Sequence, residues 1–143
     1  MSFKQWSAVI MLAVEGVIAF WLVRDLMAVP IGSLPVAAVA AKLLWLGLWM
    51  IVGNIVAAIG TAIVGSIVTR KEFKDEAADE RDKAVYAKSM RNAYFVVSVG
   101  GLATLFLLAF GYDPAFAAYA VFIGGMAAGA AGAASQLYYY RIG

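Results

Sequence analysis

Four long apolar segments constrain the fold of this chain more than any other feature. They cover about residues 6–28, 35–66, 93–110 and 115–139. A helix needs about 20 apolar residues to cross a bilayer, and it satisfies its backbone hydrogen bonds internally. Hydrophobic residues make up 64% of the 143 residues and charged residues 14%, against about 25% charged residues in soluble domains. We therefore predict an all-α integral membrane protein, a four transmembrane helix bundle forming a single domain over 1–143.

The composition also excludes most catalytic and metal-binding sites. The chain has no cysteine and no histidine, so neither a Ser-His-Asp nor a Cys-His catalytic arrangement can be assembled. Carboxylates are frequent in the loop at about 69–92, but their order lacks the glycine and the alternating ligand positions of a calcium-binding loop. We expect a protein that is not an enzyme and that has no cofactor and no metal site.

The distribution of lysine and arginine predicts the orientation. The loop between the second and third segments carries seven basic residues, whereas the two loops on the other side carry Arg24 alone. Cytoplasmic loops are enriched in lysine and arginine. We therefore expect a multi-pass protein of the cell inner (cytoplasmic) membrane, with the lipid bilayer around it and both termini in the cytoplasm.

Glu15 lies in the middle of the first apolar segment, where an ionised side chain costs at least about 2.5–3.5 kcal/mol on insertion scales. Counted from the two edges of the bilayer, Lys42 of the second segment lies at a similar depth, which favours a Glu15–Lys42 ion pair. In one alternative, Lys42 extends to the outer interface and Glu15 is protonated or bonded to a backbone or hydroxyl group. In another, Glu15 carries protons in transport.

The second apolar segment contains further side chains that need an explanation. Asn54 is a single amide in a span, and such amides more often bond a neighbouring helix than a substrate. Trp45 and Trp49 lie one helical turn apart, away from both predicted interfaces. We expect these tryptophans to be packing residues rather than interface anchors.

The fourth segment contains a stripe of small residues that includes Gly125, Gly129 and Gly132. Small residues four apart allow two helix backbones to approach closely in lipid, where no hydrophobic force drives helices together. Tight packing inside one bundle, a homodimer interface and a flexible transport helix are all compatible with this spacing.

The predicted cytoplasmic loop has seven basic and six acidic residues between 70 and 92 and contains neither proline nor glycine. Strong helix formers fill it, which favours a helical hairpin, or one turn followed by a helix that continues into the third span. Because the charges nearly cancel, direct binding of nucleic acid or of an anionic lipid patch is not expected. The loop is then either a solvated helical face or a docking surface for a cytoplasmic protein.

One stretch of the loop resembles a known family. Asp79-Glu-Arg-Asp82, followed by Lys88-Ser-Met-Arg91-Asn-Ala-Tyr94 at the entry to a span, is similar to the small membrane proteins known as domain of unknown function 2178. The likeness covers about the middle quarter of the chain and the four-span layout. It implies a membrane-bound partner that captures a cytoplasmic transcriptional regulator. By this resemblance the partner-binding positions would be Glu80, Arg81, Asp82 and Arg91. We expect Lys88 of the same loop to bind the partner as well.

Two functions of different classes follow from these features. The first is a non-enzymatic membrane protein whose cytoplasmic helical loop binds a protein partner and sequesters it. The second is a small proton-coupled transporter or efflux protein, because a glutamate in the first of four spans also resembles the small multidrug resistance family. That second likeness covers one residue. A permanent Glu15–Lys42 pair argues against it, because the pair would keep the carboxylate ionised.

Overall fold

The computed structural model describes residues 3–69 and 79–142. This part of the chain forms four helices, which are α1 (Phe3–Ala28), α2 (Val36–Thr69), α3 (Glu80–Ala109) and α4 (Pro114–Ile142). Each is long and apolar enough to cross a membrane. The prediction of an all-helical protein with four helices of this kind is therefore confirmed.

The two short connections between helices lie at the same end of the bundle, which we call the turn end. After α3, Gly111 has a positive φ of 74°, and the Tyr112 amide donates to the Leu107 carbonyl at 3.0 Å. This is the geometry in which a helix ends at a left-handed glycine. The next helix begins at Pro114, where the Ala115 amide donates to the Asp113 carboxylate at 2.8 Å. The opposite end carries both termini, and we call it the termini end.

The fourth helix is the centre of the bundle. It packs against α1, α2 and α3, whereas the backbone of α3 approaches α4 alone among the described helices. Toward the turn end, α1, α2 and α4 share a hydrophobic core cluster, which consists of Leu22, Val39, Leu43, Leu46, Ala115 and Tyr119. In this cluster three helices are in close van der Waals contact, whereas α3 is positioned by its contact with α4.

A pair of glycines makes the contact between α3 and α4 possible. A Cβ atom added to Gly100 would lie 2.8 Å from the Gly124 Cα atom, and a Cβ added to Gly124 would lie 2.9 Å from the Gly100 Cα atom. These distances are shorter than Cβ contacts in folded proteins. The two backbones therefore touch at a point where any larger residue would force them apart.

The second helix extends beyond the thickness of a bilayer. Its 34 residues make a helix of about 50 Å, against a hydrocarbon core of about 30 Å, so it must tilt or protrude. Trp45 and Trp49 are 62% and 61% exposed, so the prediction that they are packing residues is wrong. Val39, Leu43 and Leu46 of the same helix face the core instead.

The third helix begins well before the span predicted at 93–110. Asp79 is its N-cap: the Asp82 amide donates to Asp79 Oδ1 at 2.7 Å, and the Asp79 amide donates to Asp82 Oδ2 at 3.4 Å. This reciprocal capping box satisfies two amides that have no partner within the helix. From Glu80 onward the helix continues into the apolar span, so residues 80–92 form no hairpin of their own. Residues 70–78 of the predicted loop lie outside the described part of the chain.

Gly124→Ala should destabilise the bundle by about 1–3 kcal/mol, because a methyl group placed against the Gly100 backbone forces α3 and α4 apart. The free energy of unfolding, measured by denaturant titration in micelles, tests this expectation. Gly125→Ala is the matched control, since no atom lies within 4 Å of its added Cβ. The control should be neutral or stabilising by about 0.5–1 kcal/mol. Equal losses in both variants would contradict the close backbone contact.

Candidate functional sites

Polar contacts at the termini end connect the first turns of α3 to α1 and α4. Lys4 Nζ donates to Asp82 Oδ2 at 2.6 Å, and the Tyr140 hydroxyl donates to Asp82 Oδ1 at 2.6 Å. Arg81 donates to the Tyr140 carbonyl at 3.0 Å. About three turns further along α3, Asn92 donates to Ser135 Oγ at 2.9 Å. These bonds fix the polar extension of α3, residues 80–92, against the rest of the bundle.

Three of the five residues predicted to bind a partner contact other helices of the chain. Asp82 and Arg81 belong to the polar contacts just described, and the Lys88 ammonium lies 5.6 Å from the centre of the Tyr139 ring. Glu80 accepts a hydrogen bond from Lys83 at 2.8 Å on the exposed side of the helix. Arg91 is exposed and has no ion pair with a described residue. The segment Asp79–Asp82 is thus mainly a structural element.

The outward side of the same extension is left uncovered. Two small residues at its centre, Ala84 and Ala87, are exposed, and charged side chains surround them. We call this surface the docking face; its residues are Glu80, Lys83, Ala84, Ala87, Lys88 and Arg91. A helical side with small residues at its centre and charges around them lets a second helix approach closely. Lys88 reaches from the edge of this face toward Tyr139.

Near the turn end, Lys42 forms an ion pair with Asp25. Lys42 Nζ lies 2.5 Å from Asp25 Oδ2, and both side chains are about four-fifths buried, with 22% and 17% exposed. The prediction of a Glu15–Lys42 pair is therefore wrong. The prediction counted the depth of Glu15 from one edge of the bilayer and the depth of Lys42 from the other. Counted from the turn that joins the two helices, Lys42 lies about 9 Å into α2 and Glu15 about 20 Å into α1, whereas Asp25 lies in the last turn of α1.

Glu15 is buried between α1 and α4 without a charged partner. Its side chain is 4% exposed, and its Oε2 atom has no hydrogen-bond partner. The carboxylate lies against the backbone of Gly129, because a Cβ atom added to Gly129 would overlap Glu15 Oε1. The Met11 Cε atom would lie 3.0 Å from the same added Cβ atom. A carboxyl group is thus accommodated at this helix crossing because residue 129 has no side chain.

The small-residue stripe of α4 is used mainly inside the bundle. Gly129 accommodates Glu15 of α1, and a Cβ on Gly132 would lie 3.4 Å from the Ala93 Cβ of α3. Gly125 is exposed, and a Cβ atom added to it would have no neighbouring atom within 4 Å. Of the three predicted packing glycines, two contact neighbouring helices of the same chain, and Gly125 alone among them is open to another molecule.

Asn54 does not bond a neighbouring helix through its amide nitrogen. Its Nδ2 donates to the Met50 carbonyl of the same helix at 2.9 Å. This bond satisfies the amide locally, as short polar side chains often do in helices. Nor do the described residues contain any cluster of three or more His, Cys, Asp or Glu side chains placed to hold a metal ion.

Several residues of these sites were not predicted, and some of them had a signal in the sequence. The spacing Asp79-x-x-Asp82 matches a capping box, an acidic N-cap followed three residues later by an acidic side chain. Asp25 is a second carboxylate on α1 that lies nearer to the turn than Glu15. No local pattern indicates Lys4 or Tyr140, because their contacts with Asp82 join residues 78 and 58 positions apart.

Asp82→Ala should lower the thermal stability of the purified protein, because it removes the acceptor of both Lys4 and Tyr140 together with half of the capping box. Glu80→Ala is the matched control on the same helical turn. It should stay within about 0.5 kcal/mol of the original protein, as exposed substitutions usually do. Thermal unfolding in nanodiscs measures both. A larger loss for Glu80→Ala than for Asp82→Ala would contradict the structural role of Asp82.

A double-mutant cycle distinguishes the two possible partners of Lys42. Asp25→Ala and Lys42→Ala should show a coupling free energy of about 0.5–3 kcal/mol, because each residue alone is left as a partly buried charge. Glu15→Ala and Lys42→Ala should be additive. Denaturant titration in micelles measures all the variants. Additive effects for Asp25 and Lys42 would exclude the observed pair.

Comparison with known proteins adds nothing to the resemblances to domain of unknown function 2178 and to the small multidrug resistance family. No family model, curated protein or solved structure matches this chain. The segment Asp79–Asp82 and the intramembrane residue Glu15 therefore have to be interpreted from their geometry.

Proposed function

We propose that this chain is a small non-enzymatic integral membrane protein that binds a cytoplasmic protein partner through the docking face of α3. The observation that carries the proposal is the asymmetry of the α3 extension. Asp82 and Arg81 bond α1 and α4 on one side, while Ala84, Ala87 and Arg91 of the docking face are exposed on the other. A helix held rigidly on one side loses little conformational entropy when a partner binds the other.

The charges of the docking face favour a partner with acidic side chains. The docking face carries three basic residues, Lys83, Lys88 and Arg91, and one acidic residue, Glu80. Glu80 is already bonded to Lys83. Lys88 and Arg91 therefore remain without a carboxylate partner among the described residues. Complementary charges around a small, close-packing centre provide specificity and faster association. An acidic amphipathic helix of a cytoplasmic protein, such as a regulator that is held at the membrane, matches this surface.

The placement of the docking face in the cytoplasm rests on the positive-inside rule. Lysines and arginines lie at the termini end, including Lys4, the α3 extension and Arg141. The turn end contains Arg24 and Lys42, and Lys42 is neutralised by Asp25. The excess of basic residues thus favours a cytoplasmic termini end.

The transport alternative has one observation in its favour, the absence of a counter-ion beside Glu15. This removes the argument that a permanent ion pair keeps the carboxylate charged. A transporter, however, must expose its site to both sides of the membrane. The hydrophobic cluster of α1, α2 and α4 lies between Glu15 and the turn end, which weighs against such access. We therefore place the function at the docking face.

Site-specific photo-cross-linking in the native membrane tests the proposal. A photoreactive amino acid at Ala87, in the centre of the docking face, should yield an adduct with a cytoplasmic protein. The same amino acid at Leu105, an exposed residue of the α3 span, is the control and should yield no soluble-protein adduct. Mass spectrometry of the adduct identifies the partner and shows whether its contact segment is acidic.

Charge reversal then tests the specificity of any adduct. Arg91→Glu should reduce the Ala87 adduct at least about tenfold, the effect of losing about 1.4 kcal/mol of binding free energy. Arg141→Glu reverses an exposed charge at the same end but outside the docking face, and it should leave the adduct unchanged. Without any protein adduct at Ala87, or with equal sensitivity to both reversals, the proposed function is wrong.

A further inference from the structure

We propose that two copies of this chain form a parallel dimer in the membrane through an exposed stripe of α2. All members of the stripe are apolar, and their exposed fractions lie between 38% and 63%. We call it the α2 stripe; its residues are Trp45, Trp49, Val52, Val56, Ile59 and Ile63. The proposal is independent of the docking face, because it concerns a different helix.

The spacing of the α2 stripe is that of a two-stranded coiled coil. From Trp45 to Ile63, successive members lie four and three residues apart in strict alternation. At 3.6 residues per turn, all six side chains project within an arc of about 80°. Side chains with this repeat pack as knobs into holes when two helices wind around each other. A second copy of α2 presents the same repeat and therefore matches the stripe.

The four members of the α2 stripe nearer the termini end are well suited to a fixed contact. They are valines and isoleucines, and β-branched side chains of a helix are restricted to few rotamers, so little entropy is lost when they pack. Gly60 follows Ile59, and a Cβ atom added to Gly60 would have no neighbouring atom within 4 Å. This open position at the edge of the stripe leaves room for a side chain of another helix.

Lipid chains cannot cover the whole of the α2 stripe. Counted along the helices from the turn end, Ile63 of α2 and Lys83 of α3 both lie at about 40 Å. The hydrocarbon core is about 30 Å thick, so Ile63 lies beyond it even when the core begins at the first residue of α2. An exposed isoleucine at this level faces headgroups and water, at a cost in free energy. A second copy removes this exposure, and hydrocarbon chains do not reach it.

The orientation of the chain requires the two copies to be parallel. Both insert the same way, because the same lysines and arginines set their orientation. The two-fold axis then runs along the membrane normal, and each residue of the α2 stripe faces its own copy. The stripe carries no charge that could repel its copy. The docking face, with three basic residues and one acidic residue, is by contrast unsuited to self-association.

The α2 stripe is large enough for a specific contact. Covering an exposed apolar side chain removes on the order of 100 Å² from its surroundings. The stripes of two copies therefore bury about 1,200 Å², which is in the range of specific protein interfaces. Within the hydrocarbon this contact gains van der Waals energy, and beyond the hydrocarbon it also gains from the hydrophobic effect.

Cysteine cross-linking in native membranes tests the contact. The chain has no cysteine, so single cysteines report on one position each. Val52→Cys and Ile59→Cys should form disulfide-linked dimers with copper phenanthroline, as non-reducing electrophoresis detects. Ile51→Cys is the control: Ile51 is 57% exposed against 38% for Val52, but it lines a groove between α2 and α4. It should form several times less dimer, although exposure alone favours the opposite order.

A charge substitution tests whether the contact holds the dimer together. Ile63→Glu places two carboxylates against each other across the two-fold axis, and it should raise the dissociation constant of the dimer at least about tenfold. Val64→Glu is the matched control, because Val64 is the next residue and is 59% exposed against 55% for Ile63. It should leave the dimer unchanged. Energy transfer between labelled copies in vesicles of decreasing protein-to-lipid ratio measures both.

Several outcomes would overturn the proposal. Energy transfer of the original chain that equals a random distribution at every ratio means that lipid alone covers the α2 stripe. Equal cross-linking at positions 51 and 52, or equal effects of the two charge substitutions, places the contact elsewhere. Cross-links from positions 52 and 59 to a different protein, without a dimer, assign the stripe to another partner.

Discussion

The backbone contact between Gly100 and Gly124 is the constraint on which the position of the third helix depends. Apolar burial cannot bring helices together within lipid, so close van der Waals contact and interhelical hydrogen bonds must do so. The hydrophobic core cluster joins α1, α2 and α4, whereas the backbone of α3 approaches α4 alone within the described residues. The polar contacts of Asp82, Arg81 and Asn92 then fix the same helix beyond the apolar region. The docking face is held in place by both kinds of contact.

The two carboxylates of α1 show how depth and partner decide the role of a charge in a membrane. Asp25 lies in the last turn of its helix and pairs with Lys42, so it contributes a link between two neighbouring helices. Glu15 lies deep between α1 and α4, where a glycine provides space but no counter-charge. Since the lysine is bound elsewhere, Glu15 has no charged partner among the described residues. The same helix thus carries one carboxylate with a counter-ion and one without.

The sequence predicts the helices well and the contacts between them poorly. Long apolar segments and the turn residues around Gly111 and Pro114 are local signals, and four helices follow from them. The partner of Lys42 depends on how far each helix extends beyond the hydrocarbon, which composition does not define. Asp79-x-x-Asp82 could have been recognised as a capping box, but the bonds from Asp82 to Lys4 and Tyr140 require the packed bundle. Similarly, the glycine stripe indicates close packing without revealing that Gly129 faces a glutamate and Gly124 a glycine.

The third helix runs unbroken through its 30 residues, from the capped end at Asp79 to the left-handed turn at Gly111. A continuous helix behaves as a stiff rod, because each backbone hydrogen bond supports the next. Any axial rotation or sliding of the extension would therefore also move the segment that rests on α4. The polar contacts of the extension and the Gly100–Gly124 contact thus hold one stiff element at two points along its length.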